Sequence, residues 1–272
     1  MRSGCAVPAI ASPAPPWRRE QPLLPAPRAT AAVAGLITVL TALVFIAVAE
    51  PAAFSHIQRA DTAFLRLMVS LRGAPLTVAA RFFNLLGLVY VTLPVRLAIA
   101  GYLALRRRWW HLGAFVAAVV LSEVLIGTLK SAYGRTRPPG PLVSTSGASF
   151  PSGHSVAAAV TVTAAVLTLV PRARWQAIWG AVAFLFSAVM ALSRAYLAAH
   201  WLSDAVAGLL LGASCALLAA VAVDRLQRRR ARRTALATPP AAPHEAGLTG
   251  HHDPTAPVTG LGPQPGDHGG AA

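Results

Sequence analysis

The chain has 272 residues, of which 55% are hydrophobic and only 12% charged, and its formal net charge is +15. The charged share is about half that of ordinary soluble domains, so this composition excludes a soluble globular protein. The positive charge does not indicate nucleic-acid binding, because the arginines stand between apolar stretches rather than on one face of a polar domain.

Six apolar segments approach the length of about 20 residues with which a helix crosses a bilayer. They are Ala29–Ala49, Leu85–Leu105, Leu112–Leu129, Ser155–Val170, Ala177–Leu192 and Leu202–Val223. The pattern predicts an all-α, polytopic membrane domain over residues 29–224 with six transmembrane helices. The fourth and fifth segments are short and lie close together.

The basic residues predict how this domain is oriented. Arginines concentrate before the first segment, at Arg106–Arg108 after the second and at Arg225–Arg233 after the sixth. By the positive-inside rule, both termini lie in the cytoplasm. Residues 1–28 are rich in Pro and Ala, and residues 225–272 are first basic and then rich in Pro, Gly, Ala and His. We expect cytoplasmic tails that are disordered apart from the basic run.

An amphipathic helix is predicted between the first two spans. Its apolar residues recur at helical spacing, and Arg59 and Arg66 fall on the opposite face. The apolar positions are Ile57, Ala60, Phe64, Leu67, Met68 and Leu71. Such a helix in the outer interface either packs against the bundle or guides a lipid toward a site.

Three polar motifs lie between residues 130 and 204. They are Lys130 followed after six residues by Arg137-Pro138, then Pro151-Ser152-Gly153-His154, and then Ser193-Arg194 with His200 and Asp204. In the predicted orientation all three lie at the extracytoplasmic face, where they can form one site. Lys130 is the only lysine in the chain, which indicates a need for a compact ammonium group there.

These residue types suit phosphoryl transfer, in which negative charge spreads over three oxygens that fixed donors must stabilise. Lys130, Arg137 and Arg194 supply cations. Ser152 and Gly153 supply backbone amides at the positive end of a helix. The sequence shows no acidic metal cage, so we expect a site that works without a metal or another cofactor.

The two histidines are predicted to have different roles. His200 and Asp204 are one helical turn apart, so the carboxylate is expected to orient the ring and stabilise its charge as neutral His200 attacks phosphorus. His154 then protonates the leaving oxygen and activates the water that hydrolyses the phosphohistidine. Arg135 is either a contact for a second phosphate or an exposed loop arginine.

Two charged residues fall inside predicted spans, where isolated charges are costly. At about 1.5 Å per residue, Arg96 and Glu123 lie roughly 15 and 20 Å from the inner ends of their spans. We predict that they form an ion pair that braces the helix carrying Lys130. The alternative is that Arg96 extends toward the interface past Pro94.

The motifs resemble those of the type 2 phosphatidic acid phosphatase (PAP2) superfamily, which includes bacterial lipid phosphatases and vanadium haloperoxidases. The matching positions are Lys130, Arg137, Pro138, Pro151, Ser152, Gly153, His154, Ser193, Arg194, His200 and Asp204. The resemblance extends from about Ala29 to Val223. It implies a six-helix core, an extracytoplasmic site, His200 as nucleophile and His154 as acid and base. It also implies a substrate in the lipid bilayer, either a phospholipid such as phosphatidate or phosphatidylglycerol phosphate, or a polyprenyl diphosphate.

The predicted function is therefore that of a membrane lipid phosphatase. A phosphotransferase would share the first half-reaction, and the sequence does not separate the two. A haloperoxidase with vanadate in the phosphate position is disfavoured by six membrane spans. A transporter would spread polar residues through mid-membrane, and a scaffold would not depend on His200. The oligomeric state stays open.

Overall fold

The computed structural model describes residues 22–237, and within them eight helices and no strands occur. The helices are α1 (Pro27–Ala49), α2 (Pro51–Ser70), α3 (Ala74–Leu86), α4 (Val89–Leu105), α5 (Trp109–Tyr133), α6 (Gly153–Leu169), α7 (Ala173–Tyr196) and α8 (Leu202–Ala237). For this part of the chain the prediction of an all-α fold is confirmed.

Four of the helices in residues 22–237 are long and apolar enough to cross a membrane, namely α1, α5, α7 and α8. Helices α3 and α4 meet the same criterion only together, and they are bent by 51° where they join. Helix α6 is apolar but has only 17 residues. The chain is thus a multi-pass membrane protein with four or five candidate spans, and the fourth predicted span corresponds to the short α6.

The second predicted span, Leu85–Leu105, is not one straight helix. The chain breaks between α3 and α4 at Gly87, whose backbone lies against the ring of His154. A Cβ atom at Gly87 would lie 2.3 Å from Cδ2 of His154, so only glycine permits this approach. Pro94 lies inside the continuous helix α4 and is not the site of the break.

Helix α8 forms the centre of the bundle. Of the 18-residue apolar stretch in each helix, 67% is buried in α8, against 17 to 28% in α1, α5 and α7. The closest neighbour of α8 is α6. A Cβ atom at Gly208 would lie 2.5 Å from the backbone oxygen of Ser152, and one at Gly212 would lie 2.5 Å from that of Val156. The Gly-x-x-x-Gly pair therefore allows α8 to pack closely on α6.

Ordered structure extends into both predicted tails. Leu23 and Leu24 are buried, and their N–H groups donate to Gln227 and Asp224 on α8, each at 3.3 Å. Disorder is therefore wrong for residues 22–28, because two leucines bury apolar surface there. At the other end, α8 continues through the basic run to Ala237. The rest of the predicted tails, residues 1–21 and 238–272, lies outside the described residues.

Helix α2 contains the predicted amphipathic helix and packs against the bundle. Phe64 and Met68 contact the end of α7, and Ile57 lies against the cluster that contains Phe150. Asp61 shares this inward face and is only 3% exposed. Of the two alternatives for this helix, packing is the one that the contacts of α2 support.

Candidate active site

The three motifs meet at one end of the bundle, where α5 and α7 end and α6 and α8 begin. Backbone hydrogen bonds connect these ends. The N–H of Ser152 donates to the backbone oxygen of Asp204 at 3.0 Å, and that of His200 donates to the backbone oxygen of Arg194 at 3.3 Å. The start of α6 is thus fixed to the start of α8, and the end of α7 is fixed to the connection that carries His200.

The loop between α5 and α6 supplies four successive backbone carbonyls, at residues 146–149, which we call the carbonyl segment. Arg137 donates to the first three, at 2.6, 3.0 and 3.2 Å. Lys130 Nζ donates to the third at 2.7 Å, and His200 Nδ1 donates to the fourth at 2.7 Å. One stretch of backbone therefore orients the ammonium, the guanidinium and the imidazole of two motifs.

These contacts determine the tautomer of His200. A carbonyl oxygen can only accept, so Nδ1 carries the proton that is donated to Ser149. Nε2 lies 3.2 Å from Nη1 of Arg137, and a guanidinium can only donate, so Nε2 keeps its lone pair. The arrangement presents a neutral ring whose unprotonated nitrogen is Nε2, as nucleophilic attack requires.

Burial also keeps this imidazole neutral. His200 is 3% exposed, and its burial lowers its pKa to about 4; Arg194 and Arg137 act in the same direction, and Asp204 opposes them. Burial likewise lowers the pKa of Arg137, with Asp204 again opposing. The guanidinium nevertheless stays protonated, as arginine does in proteins. A neutral nucleophile thus lies beside a cation at neutral pH.

Asp204 contacts His200 less directly than the spacing predicts. Its Oδ2 lies 3.8 Å from Nδ1 of His200, which is too long for a hydrogen bond. The carboxylate accepts instead from the N–H of Trp201 at 2.9 Å, from Oγ of Ser149 and from Nη1 of Arg135 at 2.6 Å. The bond to Trp201 is the acidic half of a capping box, since Asp204 is the third residue of α8. The carbonyl of Ser149 orients the ring, and Asp204 acts on it as a nearby charge.

His154 and Arg194 both meet the junction of α3 and α4. His154 Nε2 is shielded and has no hydrogen-bond partner among residues 22–237, and the ring packs on Gly87. Nη1 of Arg194 donates to Oδ1 of Asn84. Sequence reasoning missed Asn84 and Gly87, although an amide in an apolar helix followed by a glycine was the available signal.

The other motif residues shape the backbone around the site. Ser152 is the N-cap residue of α6 and is fully buried, whereas a Cβ atom at Gly153 would meet no described atom within 4 Å. Pro138 and Pro151 are buried. Ser193 donates through Oγ to the backbone oxygen of Met190 at 2.7 Å inside α7. Its role in this structure is helix packing.

Arg135 fits neither of its two predicted interpretations. It is only 8% exposed, and both of its terminal nitrogens are fully used. Nη1 donates to Asp204 at 2.6 Å and to Ser203 at 2.7 Å. Nη2 donates to Asp61 and to Gln58, each at 2.7 Å. Neither terminal nitrogen has a hydrogen left for a second phosphate. Arg135 instead binds the carboxylates of Asp61 and Asp204.

Away from the site, Arg96 and Glu123 lie in contact. Nη1 of Arg96 is 2.7 Å from Oε1 of Glu123, and its Nε donates to Oγ1 of Thr161 at 2.9 Å. The guanidinium therefore links α4 to α5 and α6 and does not extend along the bundle past Pro94.

Residues 109–228 match the family model for the PAP2 superfamily. Over these residues the chain is similar to this superfamily. It is 29% identical over 176 residues to phosphatidylglycerophosphatase B of Bacillus subtilis (strain 168), a match that covers 62% of this chain and 86% of that protein. A PAP2-type transmembrane phosphatidylglycerolphosphate phosphatase from Bacillus subtilis has a similar crystal structure. Its TM-score is 0.62 at 24% identity, with 72% of this chain and 96% of that chain covered, and this likeness shows the fold. The PAP2 family, the relative and the membrane helices support a membrane lipid phosphatase, a hydrolase of phosphate esters.

Proposed function

We propose that this protein acts as a member of the PAP2 superfamily and hydrolyses a phosphate or diphosphate ester of a membrane lipid at the extracytoplasmic face, through a phosphohistidine at His200. In this proposal the junction of α3 and α4 and the short α6 complete six membrane crossings, with both termini in the cytoplasm. The arginines at Arg106–Arg108 and Arg225–Arg233 support that orientation. The observation that carries the proposal is the fixed tautomer of His200, which directs the Nε2 lone pair toward Arg137.

In the first half-reaction, Nε2 of His200 attacks phosphorus. An N–P bond forms while the P–O bond to the lipid alcohol breaks, and His154 gives a proton to the leaving oxygen. The imidazole then carries positive charge, which the nearby Asp204 carboxylate stabilises.

The three cations bind the phosphoryl oxygens. Lys130 and Arg137 now donate to carbonyl oxygens, and Arg194 donates to an amide oxygen. These acceptors are neutral, whereas a phosphate dianion adds a Coulomb attraction to the hydrogen bonds from the same cations. A phosphate dianion therefore competes well for the same donors. The amides of Ser152 and Gly153 at the start of α6 add donors at the positive end of a helix.

In the second half-reaction, water attacks the phosphohistidine. His154 removes a proton from the water as the new P–O bond forms, and the N–P bond to His200 breaks. Inorganic phosphate leaves, and the neutral imidazole is restored. The position of His154 at the start of α6, close to the phosphate-binding amides, supports its use in both steps.

Phosphate release by the purified protein in detergent tests this proposal. Phosphatidate, phosphatidylglycerol phosphate and undecaprenyl diphosphate would be offered with EDTA present, beside a His200→Ala control. Release from at least one lipid, retained in EDTA and lost in the control, is the expected result. If the folded protein instead phosphorylates an added acceptor lipid, it is a phosphotransferase, and if it does neither, the proposal is overturned.

A further inference from the structure

A buried row of three charges runs behind the candidate nucleophile. Nη2 of Arg135 lies 2.7 Å from Oδ2 of Asp61, and its Nη1 lies 2.6 Å from Oδ1 of Asp204. Asp61 is 3% exposed and Asp204 is fully buried. One guanidinium thus joins a carboxylate on α2, which lies outside all three motifs, to the carboxylate beside His200.

The guanidinium in this row has little freedom to move. The ring of Phe54 lies 5.1 Å from its central carbon, and the ring of Trp201 lies 5.6 Å from it. Both terminal nitrogens are used, as described above. Arg135 therefore cannot turn away from Asp204 to find another partner if Asp61 loses its charge.

Asp61 also holds the first turn of α8. Its Oδ1 accepts from the N–H of Ser203 at 2.9 Å, and its Oδ2 accepts from the hydroxyl of the same residue. Ser203 directly precedes Asp204. The α2 carboxylate therefore acts on the catalytic end of α8 both through a hydrogen bond and through its charge.

Of the hydrogen bond and the charge of Asp61, the charge is the one that can act on the positive charge that develops on His200. Arg135 and Asp204 alone form a neutral pair, which would do little for positive charge on a ring already beside the cations Arg137 and Arg194. With Asp61 included, the row carries one net negative charge. In a buried site, that charge is weakly screened and acts over several ångströms.

We propose that Asp61 is a positioning residue for the phosphatase reaction, which offsets the charge of Arg135 so that the buried row as a whole presents one net negative charge to His200. This inference rests on the proposed function. Positive charge develops on the imidazole when the N–P bond forms, and the net negative row behind the ring stabilises it in the transition state more than in the ground state. Asp61 thereby lowers the barrier without touching the phosphate.

Asp61→Asn removes the charge and keeps an acceptor for the N–H of Ser203. It also replaces the oxygen that accepts from Arg135 and from the Ser203 hydroxyl by an NH₂ group, so titration of His200 is needed to separate charge from hydrogen bonding. We expect kcat to fall about tenfold or more while KM changes less than about twofold, since the phosphate-binding cations remain. Asp61→Glu restores the charge and should recover part of kcat. A kcat for Asp61→Asn within about twofold of wild type would overturn the proposal.

Titration of His200 provides a second readout that needs no turnover. In protein with ¹³C-labelled histidine, the midpoint followed by NMR should be lowest in Asp61→Asn, where the row is neutral. It should be higher in the wild type and in Asp61→Asn/Arg135→Gln, where one net negative charge remains, and highest in Arg135→Gln alone. A purely structural role would not produce this order. If the single Asp61 variant does not fold, the proposal is tested by the His200 midpoints of the other two variants. The midpoint should be higher in Arg135→Gln than in Asp61→Asn/Arg135→Gln.

Asp224→Asn is the matched control. Asp224 is also a buried aspartate of α8 that pairs with an arginine, Arg228 at 2.7 Å, but it follows Asp204 by 20 residues, about 30 Å along the helix. Its variant should leave kcat and the His200 titration unchanged. If the wild type released no phosphate, the proposed function would fail while the titration order still tested the role of Asp61. A midpoint that does not follow the net charge of the row would overturn that role alone.

Discussion

The carbonyl oxygen of Ser149 lies 2.7 Å from Nδ1 of His200, and this contact leaves Nε2 as the nitrogen of that ring with a lone pair. The carbonyl belongs to the loop before α6, whereas the histidine belongs to the connection before α8. The choice of the attacking atom is thus made by tertiary structure and not by a residue within the histidine motif.

The first prediction concerns the site of phosphorylation. His154→Ala should slow hydrolysis of the intermediate more than its formation, so phosphorylated protein should accumulate. The protein would be quenched in alkali and digested, and its peptides compared with standards by mass spectrometry and ³¹P NMR. We expect the phosphoryl group on Nε2 of His200. Phosphate on Nδ1, or on another residue, would contradict the assigned tautomer.

The second prediction concerns the junction of α3 and α4. Gly87→Ala places a Cβ atom 2.3 Å from Cδ2 of His154, so the ring must move. A displacement of about 1 Å at a catalytic group can reduce the rate about 100-fold, and we expect kcat to fall at least tenfold. Gly101→Ala, on α4 with no atom within 4 Å of the new Cβ, is the control and should retain full activity. Equal activities in the two variants would show that His154 tolerates the shift.

The third prediction concerns the pair formed by Arg96 and Glu123. Glu123 is 54% exposed and Arg96 12% exposed, so loss of one partner should destabilise the protein by about 1–3 kcal/mol, between the values for exposed and buried pairs. Glu123→Gln and Arg96→Gln together should cost less than the sum of the two single losses, because either change breaks the pair. Thermal unfolding in detergent measures this, and strictly additive losses would remove the coupling.

The fourth prediction concerns pH. The pKa of His200 is about 4 in the folded protein and about 6.5 when unfolded. Between these values the unfolded chain binds more protons, so the contribution of His200 to stability is complete above about pH 6.5 and declines as the pH falls toward 4. The difference in unfolding free energy between wild type and His200→Gln should shrink over this range. A difference that is constant with pH, or that grows on acidification, would argue against a buried neutral imidazole.

The position of the site could be predicted from the sequence because helix direction alternates along a multi-pass chain. Lys130 at the end of α5, His154 at the start of α6 and Asp204 at the start of α8 must then share one end of the bundle. The contact of Arg96 with Glu123 follows from the same alternation, since the two depths nearly match.

Other parts of the site leave no such trace in the sequence. The acceptor for His200 is a backbone oxygen, which has no signature in residue type. The break near Gly87 lies inside a segment of high mean hydropathy, so a hydropathy profile alone does not reveal it. Asp61 did leave a signal, because it interrupts the apolar face of α2 between Ile57 and Phe64. Its partner Arg135 is 74 residues away, and no local pattern connects the two.

The carbonyl segment has a consequence for sequence variation. Lys130, Arg137 and His200 are all held by oxygens that every amino acid carries, so replacing the side chain of Ser146 or Ala148 removes none of these acceptors. Gly147 differs, because its φ of +65° disfavours other residues. Substitutions at Ser146 and Ala148 should therefore be nearly neutral for activity. The acceptors that orient the catalytic side chains thus tolerate side-chain mutation at these two positions.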